Sequence, residues 1–373
     1  MIRRAAVLCL GLLASPLGAQ EDPAAAALRA KGLLDEAAVA LDHAQGARDR
    51  VAALTQTVKA YEAGLTALRA GLRRAAIREK ALAQELNSAQ GQVADLLASL
   101  LTISRSPAPV QLTHPAGPTG TARAGMILTE ISPALQAEAD GLARDLEEVR
   151  TLRALQQSAA DTLREGLQGA QTARTALSAA ISDRTDLPMK FTADPVQTAV
   201  LVAASDTLAS FADNLGEIVV GDELEGGPDV HEQRGMLSLP VQGTILREAG
   251  QPDAAGIERP GWVIATAPGA LVTTPAAATI RYRGPLLDYG NVMIIEPGPG
   301  ILFVLAGLDQ VYGEVGQVLP AGHPLGLMGG AGVAQDEILT QASAGQNTET
   351  LYLEVREDQE TVNPAEWFKT DKE

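Results

Sequence analysis

A chain of 373 residues is long enough for two or three domains, while 3% aromatic content is too low for one large globular core and favours helical mass. A formal charge of −17 argues against a nucleic-acid phosphate backbone as partner and against a polybasic membrane anchor. The only cysteine, Cys9, falls in a leader segment, so the expected mature chain has neither disulfides nor thiolate metal sites.

Residues 1–19 read as a secretory signal. Arg3 and Arg4 precede an apolar run over 5–14, and Leu17-Gly18-Ala19 forms a passable cleavage site. That run is too short to span a bilayer, and no second run of about 18 apolar residues follows, so an exported, soluble product is expected.

Residues 20–185 read as an antiparallel coiled coil. After Pro23 no proline occurs before residue 103, and Val51, Leu54, Val58, Tyr61, Leu65, Leu68 and Leu72 alternate at three- and four-residue spacing. Leu82, Leu86, Val93, Leu97 and Leu100 continue the stripe less regularly. Unbroken, this helix would reach roughly 120 Å at 1.5 Å per residue, and it could not bury its stripe alone. Segment 104–125 interrupts it with four prolines and three glycines and predicts a breaker loop. Periodicity resumes through Leu128, Ile131, Leu135, Leu142, Leu146 and Val149 towards Leu163, Leu167, Leu177 and Ile181, which predicts a hairpin with the loop at its tip. Beside that tip, Leu96, Leu97, Leu100, Leu101 and Ile103 are candidates for a partner contact, with coiled-coil seam as the alternative.

Residues 186–235 read as a helical and acidic linker. Helix 196–220 is predicted from Val200, Leu201, Leu208, Phe211, Leu215 and Ile218, with an acidic, glycine-rich stretch over 221–235. This helix is either a spacer packed on the stalk or a restraint lying on the C-terminal domain. From Met236 the pattern changes to short β-like runs at 243–246, 261–264, 279–282, 291–295, 301–305 and 350–356, which predicts an all-β domain over 236–373. The fold class is therefore α + β multidomain: a coiled-coil hairpin, a helical linker and a β domain.

Five ordered stretches of this last domain carry a resemblance. They are Leu239-Pro240-Val241-Gln242-Gly243, Ala267-Pro268-Gly269-Ala270-Leu271-Val272, the run Asp288 to Ile295, Ala321-Gly322-His323-Pro324-Leu325-Gly326, and the closing strand, turn and Val362-Asn363-Pro364 followed by Trp367-Phe368. Together they resemble LytM (lysostaphin-like) zinc metallopeptidase domains. The resemblance implies metal and catalytic positions in H-x-G-x-D, Y-A-H-L and H-x-H. Here Arg259 and Val263 stand in the first motif, Gly307 in the second, and Thr350 and Tyr352 in the third. Zinc hydrolases use three histidine or carboxylate ligands and an open fourth position, which these side chains cannot supply. No catalytic residue, metal or cofactor is therefore expected. His43, His114, His231 and His323 read as solvated surface groups, and no cysteine nucleophile, G-x-S-x-G or phosphate loop is present.

A signal, a coiled-coil hairpin and a degenerate LytM domain in that order resemble the EnvC family of murein hydrolase activators. The resemblance implies a periplasmic protein that binds an N-acetylmuramoyl-L-alanine amidase through the vacated groove. It also implies that the coiled coil docks on an FtsX-like periplasmic loop of the FtsEX complex at the division site. Strand alternation puts Thr350, Tyr352, Glu354 and Arg356 on one face, which by the resemblance lines that groove opposite Arg259, Trp262 and Val263. Tyr352 and Arg356 are of the residue types that dominate binding hot spots. Alternatively Tyr352 fills the space of the absent metal and Arg356 pairs with Glu354 or a nearby acid. A residual murein endopeptidase and a purely structural periplasmic scaffold are the competing functions.

Overall fold

The computed structural model describes residues 23–88, 98, 117–184, 187–191, 195–217, 230–253, 256–330 and 349–369. The expected leader over 1–19 and the tip candidates Leu96, Leu97, Leu100, Leu101 and Ile103 lie outside these residues.

Three long helices form the N-terminal part. They are α1 (Pro23–His43), α2 (Ala47–Ser88) and α3 (Gly117–Ser182). The single helix expected up to residue 103 is broken at 44–46, where the Gly46 carbonyl accepts from Arg50 N–H and starts a new helix. The chain turns back there, and α1 lies along α2 with Ala30 and Ala37 buried. Small side chains allow that close approach.

The heptad stripe of α2 faces α3. Val51, Leu54 and Val58 pack on Ala173, Leu177 and Ala180, while Leu65 packs on Leu163 and Ala170 further along. The antiparallel sense continues outward through ion pairs from Arg78 to Glu148 at 2.7 Å and from Arg153 to Glu79 at 2.8 Å. Leu146, which the spacing assigns to the seam, is 49% exposed. Helix α3 also begins inside the expected breaker, so 117–125 is helical. Pro118 sits in the first turn, where a backbone N–H has no partner to lose.

The predicted helix over 196–220 is two helices, α4 (Pro195–Ala204) and α5 (Leu208–Glu217). Thr207 explains the break. Its Oγ1 accepts from Ser210 N–H at 3.1 Å while Ser210 Oγ accepts from Thr207 N–H at 3.2 Å, a reciprocal cap that starts α5 afresh.

Among the described residues ten strands form one antiparallel sheet. They are β1 (Gly243–Arg247), β2 (Trp262–Thr266), β3 (Leu271–Thr273), β4 (Ala278–Pro285), β5 (Asn291–Gly298), β6 (Ile301–Val311), β7 (Val318–Leu319), β8 (Pro324–Met328), β9 (Glu349–Glu357) and β10 (Glu360–Val362). The main path runs β1-β2-β9-β6-β5-β4-β7, with β10 on β9 and β3-β8 joined to β6. Strands β3, β7 and β8 have two to five residues each, too few for alternation to mark them in the sequence.

Strand β6 changes neighbour along its length, pairing with β9 over 301–306 and with β8 over 308–311. Gly307 lies at the change, with φ of 95°, and a Cβ there would stand 2.7 Å from the Thr350 carbonyl oxygen. The hairpin from β9 to β10 turns through Asp358 and Gln359, both at positive φ, which suits the right-handed twist of its strands. Asn363 Oδ1 then caps a short turn at Pro364–Glu366 and delivers Trp367 and Phe368 to the core. There they meet Phe303 and Trp262, with Trp367 edge-on to Phe303 at 5.9 Å.

The helical bundle docks on the β domain. Glu62 Oε1 accepts from Leu271 N–H at 2.8 Å and from Arg174 Nη2 at 3.0 Å, and the Ser178 hydroxyl bonds the Tyr312 hydroxyl at 2.7 Å. Leu271 and Leu327 add apolar contact to the bundle seam. His323, expected to be a solvated surface group, is only 6% exposed: its Nε2 lies 2.8 Å from Arg184 Nη1, and its backbone N–H donates to Thr274 Oγ1. His231 and His43 are exposed, and His231 stands on a short helical turn against Trp367 rather than in a free linker.

Candidate functional site

Strand β9 is central to the site because its two faces have opposite characters. Leu351, Leu353 and Val355 enter the main core, while Tyr352, Glu354 and Arg356 form a row on the other side. Register places Tyr352 between Val263 of β2 and Ala306 of β6, and Thr350 beside Ala265. Thr350 also touches Gly307 through its carbonyl oxygen. Four of the positions assigned to metal binding or catalysis by resemblance, Val263, Gly307, Thr350 and Tyr352, are thus neighbours.

The remaining expected residues separate from this group. Arg259 is exposed in the loop before β2, its carbonyl accepting from Gly250 N–H. Trp262 is 1% exposed on the core face with Ile264, because alternation sends it away from Val263. It does not line the groove.

The polar row is bonded mainly from within, with Arg356 Nε the one atom of it that is buried without a partner. Tyr352 Oη donates to Glu354 Oε2 at 2.7 Å and accepts from Gly261 N–H at 3.2 Å. The ring lies directly over Gly261, where a Cβ would be 2.7 Å from it. Arg356 Nη1 donates to Glu354 Oε1 at 2.7 Å, and Nη2 donates to the Gln359 carbonyl at 2.8 Å and to the Asp213 carboxylate. Burial, reinforced by the Glu354 carboxylate, pushes the Tyr352 phenol well above its ordinary value, so it remains a neutral donor.

Helix α5 covers this face. Leu208, Phe211, Ala212 and Leu215 pack on Tyr282, Ile294, Leu302, Val304 and Ala306, and Phe211 meets Tyr282 edge-on at 4.6 Å. Glu354 and Arg356, expected as groove-lining residues, are 2% and 4% exposed beneath it. Of the two readings for the linker helix, the contacts favour packing on the C-terminal domain. Asp213, which closes the row by pairing with Arg356, has no distinguishing sequence signal beyond being an acid on an amphipathic helix.

The side chains present do not fit the zinc ion that active LytM domains hold. At the positions that the resemblance assigns to metal and catalysis stand arginine, valine, glycine, threonine and a neutral tyrosine, and both oxygens of Glu354 already accept hydrogen bonds. Among the described residues no three His, Cys, Asp or Glu side chains converge on a common point.

Residues 258–364 match the family described as Peptidase family M23. Over 136 residues the chain is 29% identical to a protein of Neisseria meningitidis serogroup B, covering 36% of this chain and 20% of that protein. Over 135 residues it is 28% identical to the murein hydrolase activator EnvC of Escherichia coli K12, covering 36% of this chain and 29% of that protein. The match thus spans less than a third of either relative. Among solved structures, a zinc-containing peptidase from Vibrio cholerae is 20% identical with a TM-score of 0.28, covering 35% of this chain and 39% of that one. The family match and both of these relatives thus point to one part of the chain, the C-terminal β domain, as similar to peptidase family M23.

Proposed function

We propose that this chain is a non-catalytic activator of peptidoglycan amidases, exported to the periplasm and working in daughter-cell separation. Two findings support a role at the cell wall: the M23 domain and the similarity to the murein hydrolase activator EnvC. The observation that carries the non-catalytic part is the Tyr352–Glu354–Arg356 row, whose members bond to each other and to Asp213. A domain with these groups in place of metal ligands has nothing to lower the pKa of a water for peptide hydrolysis.

On this reading the sheet face beneath α5 is the amidase-binding surface, and α5 is a restraint that must lift before Tyr352 and Arg356 can be reached. The coiled-coil tip near residues 96–103 carries the contact to an FtsX-like loop of FtsEX. The test is release of dye from labelled peptidoglycan by the mature chain, by an amidase, and by both. Release from the mixture alone, increased in Phe211→Ala, is the expected outcome. Release by this chain alone that a chelator abolishes would establish an endopeptidase. No stimulation of any amidase by wild type or by Phe211→Ala would leave a structural scaffold.

A further inference from the structure

A cavity of about 140 Å³ lies where the helical bundle meets the β domain, with no residue of α5 in its lining. Glu62, Arg69 and Arg174 line it from α2 and α3, and Gln242, Thr244 and Pro268 line it from the segments around β1 and β2. One water needs only about 10–15 Å³ by the same measure, so the space accommodates a small ion together with its water.

Its charges do not balance. Two guanidiniums face a single carboxylate, and Glu62 Oε1 is already shared between Arg174 Nη2 and Leu271 N–H. Lys59 adds a further positive charge beside Glu62. Arg69 makes no ion pair among the described residues, although it is substantially buried next to Arg174; burial, and then that like charge, lower its pKa. Arg174 itself is 7% exposed, and its Nε is buried with no acceptor. Buried donors normally have partners, and a buried guanidinium left short of one is costly. A local excess of positive charge is the more notable in a chain of net charge −17.

We propose that this cavity binds a compact oxyanion, a carboxylate or a phosphate, between Arg69 and Arg174. Planar guanidiniums present paired N–H donors that match the two oxygens of such a group. Gln242 is exposed at the rim, and its amide adds a neutral donor. Because the two walls belong to different parts of the chain, the bound anion bridges the bundle to the β domain. The site is separate from the face beneath α5 and does not depend on any role for that face.

Calorimetric titration of the full mature chain tests this, with inorganic phosphate in one arm and N-acetylalanine in the other, each at an ionic strength matched with chloride. Saturable binding at one site is expected in at least one arm, weakened about tenfold or more in Arg69→Gln through loss of a charge-assisted contact. Binding of phosphate alone assigns the site to a phosphorylated ligand, and binding of N-acetylalanine alone assigns it to the carboxylate end of a peptide. Gln242→Leu, on the exposed rim, weakens binding without touching the bundle core and so guards against a folding defect in Arg69→Gln. Absence of saturable heat in both arms, or unchanged affinity in both variants, overturns the proposal.

Discussion

Tyr352 illustrates how one side chain can satisfy a space on three sides at once: its ring covers Gly261, its hydroxyl donates to Glu354, and the Gly261 N–H donates back. The phenol's raised pKa means that folding favours its protonated form. Its contribution is present in full below the ordinary phenol value of about 10 and is lost as pH rises through the folded value. Alkaline titration followed by tyrosinate absorbance is therefore expected to show fewer tyrosines ionising in the folded chain than in denaturant, with Tyr282 and Tyr312 also delayed by burial. Tyr352→Phe leaves the buried Glu354 short of one donor and is expected to cost about 1.5–3 kcal/mol in urea unfolding. A Phe variant as stable as wild type would show that the hydroxyl is dispensable. The row itself is legible in the sequence because strand alternation alone puts Tyr352, Glu354 and Arg356 on one side. That Arg356 is buried is not legible, since it depends on Asp213, 143 positions earlier. No local pattern encodes that contact.

At the scale of elements, the helices and the larger strands follow from spacing, and the errors fall where one or two residues override it. The α2 stripe and its α3 partner are written in heptads, yet the turn at 44–46 interrupts an otherwise continuous helical composition. The Thr207–Ser210 cap likewise splits one apparent helix into two. Helix α5 owes its position chiefly to Phe211, fully buried against Tyr282. Phe211→Ala is expected to remove about 3–5 kcal/mol from that packing. In hydrogen exchange the amides of α4 and α5 should then lose protection while β5, β6 and β9 keep theirs. Equal loss across the sheet would mean that α5 is integral to the cooperative unit of the domain.

For the whole molecule, the deciding feature is that bundle and β domain share buried polar contacts as well as apolar ones. Glu62 is the hinge of that arrangement, since it holds Arg174 and the Leu271 N–H together. Glu62→Ala leaves a buried guanidinium without its carboxylate and is expected to cost about 3–5 kcal/mol. Scanning calorimetry should show a helical and a β transition drawing apart, whereas a single unshifted transition would mean that the junction adds little. The domain order is legible from changes of period along the chain, but this docking is not, because it joins positions more than two hundred residues apart. The segment after α3 is also more than a tether: Val318 N–H donates to the Pro188 carbonyl and Lys190 N–H to that of Gly316, so 187–191 runs along the edge at β7. With α5 roofing β4, β5 and β6, the β domain effectively starts near residue 187, not at 236 where the composition changes. A truncated chain beginning at 236 would present an uncovered apolar sheet to water and should aggregate, whereas one beginning just before 187 should remain monodisperse.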